Sequence, residues 1–176
     1  MSAWRADLAM YDRRGTVGQA IVGWFANPGF VLACHYRVAH WATERGSVGR
    51  VIAVLVERRM LRGFGCQISA GAVIGPGLRL PHPLGIVIGR GVVIGAGVTL
   101  YQGVTLGRRS ENEELYPRLG NGVTIYCDAK LVGAVTVADR ARVGIGEIRI
   151  GEPQRLMCDR LVVAERKASD GRVPRR

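Results

Sequence analysis

Residues 80–107 read Leu-Pro-His-Pro-Leu-Gly-Ile-Val-Ile-Gly-Arg-Gly-Val-Val-Ile-Gly-Ala-Gly-Val-Thr-Leu-Tyr-Gln-Gly-Val-Thr-Leu-Gly, and this stretch decides the fold. Aliphatic residues recur in it at intervals of six, and a glycine often follows the aliphatic position. A two-residue alternation would indicate an ordinary strand. A six-residue period with glycine at a fixed phase instead predicts a short strand followed by a tight turn, repeated along the chain.

The same period extends on both sides of this stretch. Three sets of residues keep it: Ile68, Ile74, Leu80 and Ile86; then Ile88, Ile94, Leu100 and Leu106; then Leu119, Ile125, Leu131, Val137 and Val143. The pattern predicts a mainly β domain of stacked coils over residues 63–151, in which the aliphatic side chains point inward and each coil covers its neighbour. A glycine-rich β-sandwich is the alternative.

The first break in the period contains His82, one of three histidines in the chain. The register shifts by two residues between Ile86 and Ile88, and Pro81-His82-Pro83 is the predicted place of the insertion. Because the two prolines fix their own φ angles and restrict their neighbours, they would hold the histidine rigidly at a corner. We therefore predict a catalytic histidine, with a purely structural role as the alternative.

A second break follows Gly107. Residues 108–118, Arg-Arg-Ser-Glu-Asn-Glu-Glu-Leu-Tyr-Pro-Arg, contain no aliphatic residue in phase before Leu119 restarts the period. This predicts a polar loop extruded from one corner of the coil. Loops on rigid scaffolds tend to carry function, so we expect the loop to form a wall of the site, with a neutral insertion as the alternative.

The chain carries a net charge of +11, and nearly all of its basic residues are arginines. They are scattered, and aromatic residues make up only 6% of the 176 residues, which argues against binding of nucleic acid. Attraction of an anionic, phosphorylated ligand fits the charge better.

Nothing in the sequence predicts export or a membrane span. No apolar run is long enough to cross a bilayer, and the start of the chain lacks the pattern of a signal peptide. The four cysteines, which show no CxxC spacing, fit free thiols in a reducing compartment. We therefore expect a cytoplasmic protein without a membrane span.

Residues 1–62 are predicted to form a helical appendage that packs on the coil or on another subunit. We expect residues 1–15 to be polar and frayed, one helix to begin at Thr16, a second to cover about 30–45, and a third to run from a Ser47 cap to residue 62, with Gly63 as its stop. His35 and His40 are five residues apart, which does not place them on one helix face, so we predict packing roles and no metal site. Residues 152–176 are expected to form a polar tail without repeats.

Four motifs carry a resemblance to a known family. Gly-Ile-Val-Ile-Gly at 85–89, Val-Thr-Leu-Tyr-Gln-Gly-Val-Thr-Leu-Gly at 98–107, Tyr116-Pro117 and Ala-Lys-Leu-Val-Gly at 129–133 resemble the serine O-acetyltransferase branch of the hexapeptide-repeat acyltransferases. The resemblance covers about residues 30–146. It implies a left-handed parallel β-helix, a homotrimer that could pair through the appendage, acetyl-CoA as co-substrate, no metal, and His82 as general base.

Further site residues follow from the resemblance. Those expected near the acceptor are Gln67, Arg109, Tyr116 and Arg118. Those expected near acetyl-CoA are Gly103 and Gly107, whose N–H groups are candidates for the oxyanion, and Arg108, Arg109, Lys130, Arg140 and Arg142, which would form a basic coil edge.

The chain also departs from the family. Pro81 replaces an aspartate that typically precedes the histidine, Leu115-Tyr116-Pro117 replaces Arg-His-Pro, Gln67 replaces another aspartate, and the usual Ala-Gly-x-Pro ending is missing. The expected activity is transfer of an acetyl group from acetyl-CoA to a hydroxyl, most like that of a serine O-acetyltransferase. A sugar, polysaccharide or natural-product hydroxyl as acceptor, and a non-catalytic scaffold, are the alternatives.

Overall fold

A computed structural model describes residues 3–11, 27–112, 114–156 and 161–162. Three helices occur in these residues: α1 (Ala3–Ala9), α2 (Pro28–Thr43) and α3 (Gly46–Phe64). The strands are β1 (Gln67–Ile68), β2 (Val73–Ile74), β3 (Val87–Ile88), β4 (Val93–Ile94), β5 (Thr99–Leu100), β6 (Thr105–Gly107), β7 (Arg118–Leu119), β8 (Thr124–Ile125), β9 (Lys130–Val137), β10 (Arg142–Val143), β11 (Ile148–Leu156) and β12 (Leu161–Val162).

The strands stack in parallel on three sides of a coil. The first side stacks β1, β3, β6 and the start of β9, and the second stacks β2, β4, β7 and the end of β9. The third side stacks β5, β8 and β10, and Arg79 bridges to Thr99 at its beginning. The predicted left-handed parallel β-helix is confirmed.

The core of the coil contains all the aliphatic residues that keep the six-residue period, together with further buried residues such as Val92, Val98 and Val104. All thirteen residues that keep the period are buried, none more than 6% exposed, as the period predicts. Burial of one Leu, Ile or Val side chain contributes about 1.5–3 kcal/mol, so this inward column is the main source of cohesion.

Backbone pairing sets the length of a coil. Val87 pairs with Thr105, which makes one turn eighteen residues long. The first turn is two residues longer, because Gln67 pairs with Val87, and the surplus leaves the coil around His82 as predicted. The second surplus leaves between β6 and β7, so the extruded loop ends at residue 117, one residue before its predicted end.

The prediction that residues 1–15 are frayed is wrong for the described part of that segment. Helix α1 forms there, because Leu8 and Asp7 are buried against the rest of the chain, at 1% and 0% exposure. The helix predicted to begin at Thr16 lies outside the described residues.

The ends of the other two helices differ from their predicted positions. Helix α2 begins at Pro28, whose ring suits the first turn of a helix. Helix α3 continues past Gly63 to Phe64. Gly65 caps it, with a left-handed φ of 60° and an N–H that donates to the Leu61 carbonyl. Ser47 lies inside α3 and does not cap it. None of the helices described here is long and apolar enough to span a membrane.

His35 and His40 contact backbone carbonyls within the appendage and the first coil. The Nδ1 atom of His35 lies 2.8 Å from the Val31 oxygen, and that of His40 lies 2.8 Å from the Ala70 oxygen. Their rings also pack on Phe64 and Tyr36, respectively. Both histidines therefore have packing roles, as the sequence predicts.

The appendage binds the first coil through side chains that hydrogen-bond to its backbone. The contacts are Glu57 with Ala70 N, Tyr36 with Ala72 O and Ile74 N, Arg37 with Ile74 O and Gly75 O, Asp7 with Gly77 N and Leu78 N, and Tyr11 with Leu80 N and Leu80 O. These backbone groups have no coil beneath them to pair with, and buried backbone groups require partners. The appendage supplies those partners.

Asp7 is the most enclosed member of this set. Its carboxylate accepts hydrogen bonds of 2.8 Å from the N–H groups of Gly77 and Leu78, and it pairs with the Arg37 guanidinium at 2.9 Å. Asp7 thus joins α1, α2 and the first coil at one point.

The repeat continues beyond its predicted end at residue 151. Strand β11 pairs with β9 through Leu156, and β12 pairs with β10. The boundary was wrong because pairing is made by the backbone and needs no aliphatic residue in phase. The register shifts between Gly151 and Gln154, around Pro153, which has no N–H to donate.

We expect Asp7→Ala to lower the free energy of unfolding by about 3–5 kcal/mol, because it leaves Arg37 and two buried N–H groups without their acceptor. Asp7→Asn, which keeps one acceptor oxygen, should lose less. Urea denaturation followed by circular dichroism measures both. Glu44→Ala, at an exposed position after α2, is the control, and an equally small effect for Asp7→Ala would contradict the role of the carboxylate.

Candidate active site

His82 lies on the turn that leaves the third side of the coil and enters the first. Its ring is exposed, its carbonyl accepts a 2.9 Å hydrogen bond from the N–H of Leu84, and prolines flank it on both sides. Among the described residues, none hydrogen-bonds to its imidazole. Both ring nitrogens are therefore open to a ligand from the side of the solvent.

A cleft of about 410 Å³ opens beside His82, between the appendage and the first coil. It is lined by Pro28, Gly63, Phe64, Gly65, His82, Pro83 and Leu84. When His82 is neutral, none of these lining residues carries a charge. Leu84 is 66% exposed at the rim of the cleft. The cleft is suited to the apolar body of a ligand whose reacting group meets the imidazole.

Two tyrosines continue the His82 corner into the next coils. The ring centroids of His82 and Tyr101 are 6.3 Å apart, and the Tyr101 and Tyr126 rings stack at 5.5 Å. Our reading of the sequence missed both tyrosines, although a signal was available. Each tyrosine directly follows an inward aliphatic residue of the third side, just as Pro81 follows Leu80. Residues in that position of successive coils all lie at the same corner.

The backbone at this corner is already engaged. Gly103 adopts a φ of 69° and donates its N–H to the Leu84 carbonyl at 2.9 Å. This N–H group is therefore already engaged, whereas the sequence analysis expected it to bind the oxyanion. The adjacent Gln102 has a buried side-chain oxygen without a partner among the described residues. Gln67, expected near the acceptor, lies exposed at the start of β1, one coil beneath Val87.

The extruded loop lies at a different corner, where the first side meets the second. Tyr116 packs its ring over the backbone of Gly89 and Gly91, so closely that a Cβ atom on Gly91 would lie 2.2 Å from it. The pKa of Arg90 is raised by hydrogen bonds to Tyr116 and to Glu114, whose carboxylate is 3.2 Å away. These contacts hold the end of the loop against the coil.

A cavity of about 230 Å³ lies next to Tyr116. Its lining consists of Gly91, Glu114, Leu115, Tyr116, Arg118, Ala134 and Thr136. Two predicted acceptor residues, Tyr116 and Arg118, therefore meet here, whereas Arg109 lies exposed within the preceding part of the loop. Within one chain this group is separated from His82 by one side of the coil.

Within one chain, the residues of the predicted basic coil edge lie at several places on the coil. Arg108 and Arg109 belong to the loop corner, Lys130 begins the first side of β9, Arg140 lies at a turn with a φ of 59°, and Arg142 lies on the third side. They are spread in this way because each six-residue step moves the chain to the next side. Gly107 ends β6, and nothing lies within 4 Å of where its Cβ would be.

The sequence has relatives among serine acetyltransferases. No family model matches the chain. It is 33% identical over 121 residues to the serine acetyltransferase of Salmonella typhimurium, an alignment that covers 68% of this chain and 44% of that protein. The chain thus spans less than half the length of this curated relative.

Solved structures of serine acetyltransferases share the fold. One, from Neisseria gonorrhoeae in complex with serine, has a TM-score of 0.74 and 30% identity and covers 86% of this chain and 62% of its own. Another, a serine acetyltransferase in complex with CoA, has a TM-score of 0.74 and 26% identity and covers 87% of this chain and 63% of its own.

Proposed function

We propose that the chain, which belongs to the serine acetyltransferase-like branch of the hexapeptide-repeat acyltransferases, transfers an acetyl group from acetyl-CoA to a hydroxyl. The observation that carries this proposal is His82, held between two prolines at a corner and facing a cleft with both ring nitrogens accessible. A chain that served only as a scaffold would need no such group.

His82 acts as the general base. Neutral imidazole takes the proton of the acceptor hydroxyl while its oxygen attacks the carbonyl carbon of the thioester. The C–S bond then breaks, and the imidazolium returns the proton to the departing thiolate, which leaves as the free thiol of CoA. Because Pro81 stands where relatives place an aspartate, the imidazole is oriented by the backbone rather than by a neighbouring carboxylate.

Acetyl-CoA is proposed to lie along the open strand end at Gly107. An unobstructed backbone there admits an extended pantetheine arm, since no side chain or main chain lies within 4 Å of the Cβ position. Arg108 directly follows Gly107 in the chain, and Lys130 pairs with Thr105 one coil above on the same side. They suit the phosphates of CoA, which require cationic partners.

The active unit is proposed to be a homotrimer with sites between subunits. Within one chain, His82 and the Tyr116 group lie at different corners of the coil, so no single chain assembles the complete set. Packing three prismatic coils around an axis brings the His82 corner of one subunit to the loop corner of the next. Such packing also covers exposed aliphatic residues on the flat sides, such as Val73 and Ile148.

Two acceptor classes are proposed. Serine is the first, because the relatives are serine acetyltransferases. An uncharged hydroxyl compound such as a sugar is the second. It is favoured by the absence of a charged side chain in the lining of the cleft and by Leu115 and Tyr116 at positions where the family places an arginine and a histidine.

We expect His82→Ala to lower the rate of acetyl transfer by ~10²–10⁴-fold, because a general base is lost from the reaction. Release of the CoA thiol, followed with a thiol reagent over a panel of hydroxyl acceptors, measures the rate. His40→Ala serves as the matched control, since that histidine contacts Ala70 and Tyr36, which do not line the cleft. A loss below tenfold for His82→Ala would remove this residue from the role.

We expect sedimentation at micromolar concentration to give three times the mass of the chain. When unfolded His82→Ala and Tyr116→Ala chains are mixed in equal amounts and refolded together, about a quarter of the sites should be complete. In those sites a Tyr116→Ala subunit supplies His82, and the neighbouring His82→Ala subunit supplies Tyr116. A monomer by sedimentation would contradict the shared site.

We expect the acceptor panel to separate serine from neutral sugars through three substitutions. If serine is the acceptor, its carboxylate needs a cation, and Arg109→Gln or Arg118→Gln should raise the KM for serine. If a sugar is the acceptor, Tyr116→Ala should lower turnover while serine stays inert, because the ring supplies an apolar face and a neutral hydroxyl. Serine turnover far above that of every sugar would exclude the second class.

A further inference from the structure

The Tyr11 hydroxyl hydrogen-bonds to the backbone of Leu80, two residues before His82. It accepts a 2.6 Å hydrogen bond from the N–H of Leu80 and lies 3.3 Å from the Leu80 carbonyl, to which it donates. Burial raises the pKa of Tyr11 to about 12, so the hydroxyl keeps its donor proton at neutral pH. One side chain therefore holds both polar groups of the Leu80 backbone.

The surroundings of Tyr11 leave little room for movement. Its ring packs edge-on against Phe30, with the centroids 6.3 Å apart. The start of α2 presses on the same carbonyl, since a Cβ on Gly29 would lie 1.9 Å from the Leu80 oxygen. Leu80 itself is fully buried. It is thus clamped by the coil on one side and by the appendage on the other.

The chain from Leu80 to His82 transmits this placement. Pro81 and Pro83 fix their φ angles and restrict the residues before them. Beyond His82, the Leu84 N–H binds the His82 carbonyl, and the Leu84 carbonyl accepts from Gly103. With the far end tied to the next coil, the position of Leu80 determines where the imidazole stands.

We propose that Tyr11 is a positioning residue for His82, so that the helical appendage sets the geometry of the base. The catalytic consequence rests on the proposed function of His82, whereas the structural part stands apart from it. A base displaced by as little as 1 Å can lose up to about a hundredfold in rate.

Tyr36 provides a matched control. Its hydroxyl also bridges one donor and one acceptor of the first coil, accepting from Ile74 N at 3.2 Å and donating to Ala72 O at 2.7 Å. Burial raises its pKa to about 12 as well. Tyr36 grips the second side of the coil, away from the His82 turn, so Tyr36→Phe removes the same kind of bridge without touching that turn.

The test compares Tyr11→Phe with Tyr36→Phe by acetyl-transfer kinetics and by NMR of the histidine rings. Both variants should show similar losses in melting temperature. We expect only Tyr11→Phe to lower kcat, by about 10- to 100-fold with little change in the KM for acetyl-CoA, and only Tyr11→Phe to shift or broaden the His82 ring signals. His82→Ala identifies those signals among the three histidines of the chain.

The outcomes separate this inference from the proposed function. His82 signals that are unchanged in Tyr11→Phe overturn the inference, and so does an equal loss of kcat in both variants. Shifted His82 signals in a protein that transfers no acetyl group to any acceptor support the positioning role and refute only the proposed activity.

Discussion

The stacking of inward aliphatic side chains is the constraint on which the rest of the structure depends. Ile68, Ile88, Leu106 and Leu131 lie one above another, and they stay in line only if each turn uses eighteen residues. Residues beyond that number must leave the coil at a corner, because a surplus on a flat side would turn inward residues outward. Between β1 and β9 the chain has two such exits, and they carry His82 and the Tyr116 loop.

The sequence predicted the features that recur in every coil, but it missed contacts that a single side chain makes with distant backbone. The period located thirteen buried residues of the coil, and the break in it located His82. By contrast, Asp7 contacts Gly77 seventy residues away and Tyr11 contacts Leu80, and side-chain bonds to distant backbone leave no local pattern. The polar look of residues 1–15 was misleading for this reason. The residues of the predicted basic edge lie apart within one chain for a different reason, because the six-residue step that aligns aliphatic residues inward places Lys130 on the first side and Arg142 on the third.

The candidate site places the proposed base in surroundings that differ from the family pattern. His82 matches the histidine of that pattern, yet proline precedes it, and the end of the loop offers tyrosine in place of charged groups. The proposed function therefore leaves the orientation of the imidazole to the rigidity of the turn. It assigns recognition of the acceptor to shape and apolar contact, for which a cleft lined by Phe64, Pro83 and Leu84 is suited.

The bonds from the appendage to the first coil also bear on whether further strands can add to the end of the coil. A parallel coil ends in a row of unpaired N–H and C=O groups, which is a template on which another chain can add strands and grow a fibril. Tyr36, Arg37, Asp7 and Tyr11 occupy that row along two sides of the prism, one group after another. The helices thereby block strand addition along these two sides of the first coil.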